Sequence, residues 1–146
     1  MWNYTYALDY GDLDGVVDKF ADDAMMEVSM RSGAKEGALV GKYPGKKAIK
    51  ELYASVIPEK TRFTGAHMLT NPVVTVEGDK AKGRFYLFGA STLQRPEGER
   101  ATWSQGRYDN DFVKVGGKWK ISHFRFLWNF MTNYDEGWVK TPMLEI

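Results

Sequence analysis

Two histidines occur in the chain, and one of them, His67 in "RFTGAHMLTNPVVTV", has a candidate partner in Asp9, which ends "YTYALD". A free imidazole titrates near pH 6.5, so a carboxylate that orients the ring and stabilises its protonated form makes it a usable general base near neutrality. Such a pair would serve proton abstraction from carbon or oxygen of a small molecule. Tyr4, just upstream of Asp9, adds a hydroxyl that could assist a leaving group. Each residue also has a plain structural use. His67 could bond within a sheet, Asp9 could close the turn before "YGD", and Tyr4 could fill a core. The absence of cysteine removes thiolate nucleophiles, disulfides and zinc–thiolate sites. Two histidines without further clustered ligands point to no metal. "GKYPGKK" lacks phosphate-loop spacing and reads as a turn into a helix. No cofactor is therefore expected.

These residues need elements to hold them, and 146 residues suffice for one domain spanning 1–146 with a single core. A net charge of +1 carries no footprint for nucleic acid or an anionic membrane. No apolar run approaches the roughly 20 residues of a membrane span. "MWNYTYALDYGD" lacks the basic and apolar regions of a signal peptide, so a cytoplasmic protein is expected. The opening also reads like the last turns of a longer first helix. Aromatic residues make up 14% of the chain, enough for a tight core or a pocket for a planar ligand.

Residues 3–9 are helix-like. Leu13, Val16, Val17 and Phe20 recur at helical spacing behind Asp12, a fitting N-cap. "AMMEVSM" reads as a strand, "RSGAKEG" as a loop and "ALVG" as a short strand. "YPGKKAIKELYASVIP" is a helix with Ile49, Leu52, Tyr53 and Val56 on its apolar face and Pro58 as its stop. The Met25–Met26 pair and Met30 read as core filling. Beyond Thr61 the period changes to two, and "RFTGAHMLTN", "PVVTVEG", "KAKGRFYLFGASTL", "RATWSQGRYDNDFVKVG" and "KWKISHFRFLWNF" read as five strands. Gly65, Gly83, Gly89 and Gly106 inside them mark bends. The tail, with Trp138 and Met143, is expected to dock on the body or on a neighbouring subunit. Helices first and long strands after them make an α+β fold, a curved antiparallel sheet wrapped around the N-terminal helices with a cavity inside the cone.

"ALDYGDLDGVVDKFADDAMMEV", "GKKAIKELYASV" and the late "KWKI" strand resemble the nuclear transport factor 2-like, or SnoaL-like, superfamily over nearly the whole chain. The resemblance implies a cone-shaped α+β barrel whose pocket opens between the helices and the concave face of the sheet. Activity is less defined, because the fold hosts lyases, isomerases, cyclases and non-catalytic binding modules. Tyr4 falls where ketosteroid isomerases keep an oxyanion-hole tyrosine. Their general base would fall on Val28 and their protonated acid on Asn110, which disfavours that reaction. Glu27, the other candidate base, should point away from the pocket if Val28 faces it. The lyase branch (scytalone dehydratases, bile-acid dehydratases, hexachlorocyclohexane dehydrochlorinases) uses an aspartate and a histidine at the places of Asp9 and His67. "HMLTN" resembles the dehydrochlorinase segment, and the Tyr4-to-Asp9 spacing resembles the bile-acid enzymes. Gly89 replaces a second acidic residue there, and Phe124 and Trp128 replace pocket arginines.

The resemblance thus implies a cofactor-independent lyase of the dehydratase or formaldehyde-lyase type, acting on a hydrophobic, aromatic small molecule. Its expected catalytic residues are Asp9, His67 and Tyr4. Expected substrate contacts are Tyr53, Phe85, Leu87, Ser104, Tyr108, Asn110, Phe124 and Trp128. Alternation along the last strand sends Phe124, Phe126 and Trp128 inward and His123 and Arg125 outward. A homo-dimer or homo-trimer is expected because Trp119 and Ile121 would otherwise leave apolar surface exposed. The competing readings are a small-ligand-binding or assembly module, in which His67 would bond to backbone alone, and an isomerase or polyketide cyclase.

Overall fold

The computed structural model describes residues 1–32, 35–57, 65–95 and 98–143. Helix α1 spans Trp2–Asp9 and ends in a turn through Gly11, whose φ of 69° suits a residue without a Cβ. The chain then re-enters a helix at once. Asp12 Oδ1 accepts from the Gly15 N–H at 2.8 Å, the N-cap that opens α2, Leu13–Asp18. Helix α3, Gly45–Val56, buries Ile49 and Tyr53. Val56 stays exposed because it borders the cavity described below. The expected stop, Pro58, lies outside the described residues.

Among the described residues, six strands form one sheet: β1 Phe20–Ser32, β2 Lys35–Pro44, β3 Gly65–Glu77, β4 Lys80–Arg95, β5 Gly98–Val115 and β6 Lys118–Asn133. Their order is β2-β1-β6-β5-β4-β3. The antiparallel sheet expected from the sequence needs one correction. β1 runs parallel to β6, with Val28 opposite Phe126. These strands are far apart in the chain, so a long crossover, not a hairpin, joins them. β1 and β2 pair out to Ser32 and Lys35, so most of the expected loop "RSGAKEG" is strand. The two strands expected around Asn71 are one. Asn71 takes a φ of 51°, and the β3–β4 register shifts between Thr70 and Val73, absorbing Pro72 as a bulge. Residues 62–64 of that expected strand lie outside the described residues.

Two further bulges decide which β6 side chains face inward. Asp111 opposes His123 while Phe112 opposes Ile121, which leaves Ser122 extra; Gln105 opposes Phe130 while Gly106 opposes Trp128, which leaves Asn129 extra. Each extra residue reverses the alternation. Ile121 is therefore buried while Trp119 stays exposed, which corrects the expectation that both face outward. Met131 likewise turns to the cavity, and Phe130 turns out to stack on Trp138 at 4.9 Å. Gly106 sits at this bulge because a Cβ there would meet the Phe126 ring at 2.4 Å. The tail, with α4 at Gly137–Lys140, docks on its own β6. The Met131 N–H donates to the Pro142 carbonyl at 3.3 Å. The core lies between the helices and the concave face, where Val16, Phe20, Ile49 and Phe124 are fully enclosed.

Candidate active site

The end of α1 brings Asp9 against β3. Asp9 Oδ1 lies 2.5 Å from His67 Nδ1, and Oδ2 accepts from the His67 backbone N–H at 3.1 Å. β3 is an edge strand, so N–H groups on its outer side are not consumed by the ladder. One carboxylate thus grips both the ring and the backbone of one residue. As an acceptor-only group, the ionised Asp9 assigns the proton to Nδ1 and the basic lone pair to Nε2. The two side chains are 15% and 17% exposed, shielded enough for a short, charge-assisted bond.

Both residues line a cavity of about 680 Å³ between the helices and the concave sheet. Its wall is largely hydrocarbon and aromatic, and its phenols are arranged in contact. The Tyr4 and Tyr53 hydroxyls are 2.6 Å apart, and Phe124 packs edge-on against the Tyr4 ring at 5.6 Å. Burial, then the Tyr53 neighbour and Asp9, push the Tyr4 hydroxyl pKa well above its ordinary value. Burial does the same to Tyr108, with Tyr4 and Asp9 adding to it, and to Tyr53. The three phenols therefore stay protonated and act as neutral hydrogen-bonding groups at physiological pH.

Of the expected contacts, Tyr53, Leu87, Ser104, Tyr108, Phe124 and Trp128 line this cavity with Asp9, His67 and Tyr4. Phe85 and Asn110 are not among its lining residues, which corrects that expectation. Phe85 is buried in the core cluster, beneath the cavity wall. Asn110 is buried too, with its Oδ1 accepting from the Arg125 N–H at 2.9 Å, beside the β6 bulge that interrupts the ladder. Met26 and Met30, read as core filling, border the cavity, as does Met131. The Met131 contact was hidden because strict alternation places it on the other face. Gly89 leaves room for Ser104, whose Oγ would be 2.7 Å from a Cβ at position 89.

His123 and Arg125 lie on the outer face. His123 Nε2 is 2.8 Å from Glu27 Oε2, its Nδ1 is 2.8 Å from an Arg125 guanidinium nitrogen, and that nitrogen donates to Asp111 at 2.8 Å. Glu27 thus points away from the cavity, while Val28 lines it. Among the described residues, no group of three or more His, Asp or Glu is arranged to hold a metal ion. No described helix is long and apolar enough to cross a membrane.

The SnoaL-like domain profile matches residues 1–125. The chain belongs to the SnoaL-like family. Comparison with curated protein sequences finds no match. Among solved structures, a protein provisionally named an aromatic ring hydroxylase, from Novosphingobium aromaticivorans, is 29% identical with a TM-score of 0.71, over 91% of this chain and 87% of that one. A protein provisionally named a scytalone dehydratase, from the same organism, is 24% identical with a TM-score of 0.70, over 92% and 82%. A hexachlorocyclohexane dehydrochlorinase is 20% identical with a TM-score of 0.69, over 90% and 82%. At such identities the last two likenesses speak for the shared SnoaL-like fold, a curved, unclosed sheet over N-terminal helices.

Proposed function

We propose that this SnoaL-like protein is a cofactor-independent lyase that eliminates water or formaldehyde from a hydrophobic, aromatic small molecule, with Asp9 and His67 as the base. The observation that carries the reading is the 2.5 Å contact between His67 Nδ1 and Asp9 Oδ1 on the wall of an aromatic cavity. A binding module would have no use for a carboxylate spent on fixing an imidazole tautomer. Solved relatives named for dehydration and dehydrochlorination add support at the level of the fold.

In the proposed reaction, Nε2 takes a proton from the substrate and Asp9 stabilises the imidazolium that results. If the proton leaves carbon, the C–H electrons form the new double bond and the neighbouring hydroxyl departs. Its departure as water returns one proton, with Tyr4 hydrogen-bonding the leaving oxygen. If the proton leaves a hydroxymethyl O–H, the O–H electrons form the formaldehyde carbonyl. The carbon–carbon bond then breaks toward a carbon that takes up the proton. General-base assistance supplies about 10²–10⁴-fold, and orientation and the low-dielectric wall supply the remainder. The test is a screen of aromatic diols and β-hydroxy carbonyl compounds, read by new conjugated absorbance or released formaldehyde. Wild-type protein should turn over a substrate that His67→Ala does not. Equal turnover by both would remove the dyad from the mechanism.

A further inference from the structure

The outer face of the sheet, opposite the cone cavity, carries a second depression of about 300 Å³. One register row across this face is a compensated ladder of charge. Lys42 meets Glu27 at 3.4 Å, Glu27 stands opposite Arg125, and Asp109 pairs with Arg84 at 3.1 Å. Arg125 donates to the Asp109 carbonyl at 3.2 Å and pairs with Asp111 at 2.8 Å. His123, whose Nδ1 accepts from Arg125, adds no charge. Glu27 and Asp109 border the depression, but each is already held by a cation. Arg107, which also borders it, lies in the next row. Its cross-strand neighbours there are Tyr86 and Leu127, and Ser29 and Leu39 continue that row, so it contains no acid. The Arg107 guanidinium is half-buried and forms no ion pair or hydrogen bond with any described residue. It is the one positive charge in excess on this part of the described face.

A half-buried cation has given up part of its water and gains most from an anion. The planar guanidinium offers paired N–H donors in the geometry of a carboxylate. Ser29 stands two strands from Arg107, about 10 Å at ordinary strand spacing. A carboxylate over Leu127 therefore lies within reach of both the guanidinium and the Ser29 hydroxyl, while Leu39 and Leu127, which line the depression, offer hydrocarbon to the rest of the molecule. We infer that this outer groove is a second binding site, for a small monocarboxylate with an apolar body, held by Arg107 and Ser29 above Leu39 and Leu127. A volume of about 300 Å³ is at the small end for a ligand site and suits a single ring. The site lies on the other face of the sheet from Asp9 and His67, so it stands or falls apart from the elimination reading.

Proton–nitrogen correlation spectra near neutral pH would follow titration with benzoate, with its uncharged counterpart benzamide, and with acetate, which lacks the ring. Benzoate should shift the amides of Ser29, Leu39 and Leu127 and bind about tenfold or more tighter than benzamide, the worth of a charge-assisted hydrogen bond. Acetate should bind more weakly than benzoate for want of an apolar body. Added salt should weaken benzoate and leave benzamide unchanged. Arg107→Gln should bring benzoate down to the level of benzamide. If Arg107→Gln fails to fold by circular dichroism, Arg107→Lys replaces it; the charge stays, the fork is lost, and benzoate should weaken about threefold or more. No shift of the groove amides at millimolar benzoate overturns the inference, as do shifts confined to residues of the cone cavity. Equal binding of benzoate and benzamide, or a benzoate affinity that the variant leaves unchanged, overturns it as well. Groove amides that move on dilution of the protein but not on addition of benzoate would put a second copy's carboxylate on Arg107 and overturn it too.

Discussion

Asp9 uses both carboxylate oxygens on His67, one on the ring and one on the backbone N–H. This double hold sets the ring plane and its tautomer at once, which a single hydrogen bond to a mobile carboxylate would not do. Asp9→Asn keeps the shape but has one acceptor oxygen for the two donors of His67, its Nδ1–H and its backbone N–H. His67→Ala removes the base. Each is expected to lower kcat by about 10²–10⁴-fold. The double variant should lose little more than either single one, because the two act as a unit. Steady-state kinetics on a substrate from the screen checks this, and multiplicative losses would contradict it. Tyr4→Phe removes one hydroxyl from a protonated pair. Its expected cost is about 3–10-fold in kcat, from a hydrogen bond worth roughly 0.5–1.5 kcal/mol.

At the scale of elements, β6 is the decisive strand, since its two bulges set which residues face the cavity. Asn110 ties β5 to β6 next to the first of them by accepting the Arg125 N–H. Asn110→Ala should therefore destabilise the fold by about 1–3 kcal/mol, seen as a lower urea midpoint, while ligand affinity changes little. The outer face of the same strand carries the Glu27–His123–Arg125–Asp111 network. The His123 hydrogen bond, aided by Lys42 against the opposing effect of burial, holds the Glu27 carboxyl below its usual pKa. A carboxyl depressed in the folded state adds stability that is complete above its unfolded value, about 4.3 for glutamate, and that disappears as pH falls through the lower folded value. Glu27→Gln should thus be less stable than wild type at pH 7 by up to about 1 kcal/mol. The two should converge toward pH 3 in urea titrations; a gap that persists there would contradict the linkage.

At the scale of the whole molecule, the helices cover one face of the sheet and leave β3 as an open edge. Val73, Val74 and Val76 on that strand, with Met68 and with Tyr86 on β4, are exposed. A long apolar edge strand is a ready template for pairing. Trp119 alone no longer carries the case for self-association, since Ile121 is interior, but this edge does. A dimer or trimer is expected by light scattering at micromolar concentration, and Val74→Lys together with Val76→Lys should shift it toward monomer. A wild-type monomer under those conditions would count against assembly.

Much of this was legible from the chain because it depends on local chemistry. Asp12 before an apolar stripe announces a helix start wherever that segment lies, and a change of period from 3.6 to two announces strands. The pairing of Asp9 with His67 could be suggested from the scarcity of histidine but drew its support from the resemblance to lyases, since nothing local connects two residues on different elements. The tertiary structure decided what depends on register. The parallel pairing of β1 with β6, the merging of two expected strands at Asn71, and the bulges at Ser122 and Asn129 each change which face a side chain meets. A single extra residue reverses every side chain beyond it, and a one-residue insertion in pairing leaves no mark in hydrophobic alternation until the partner strand is known. That is why Ile121 went inward, why Met131 joined the cavity, and why Asn110 became a support of the sheet. Phe85, too, could be told from a cavity residue only once the depth of the wall was fixed by the helices packed against it.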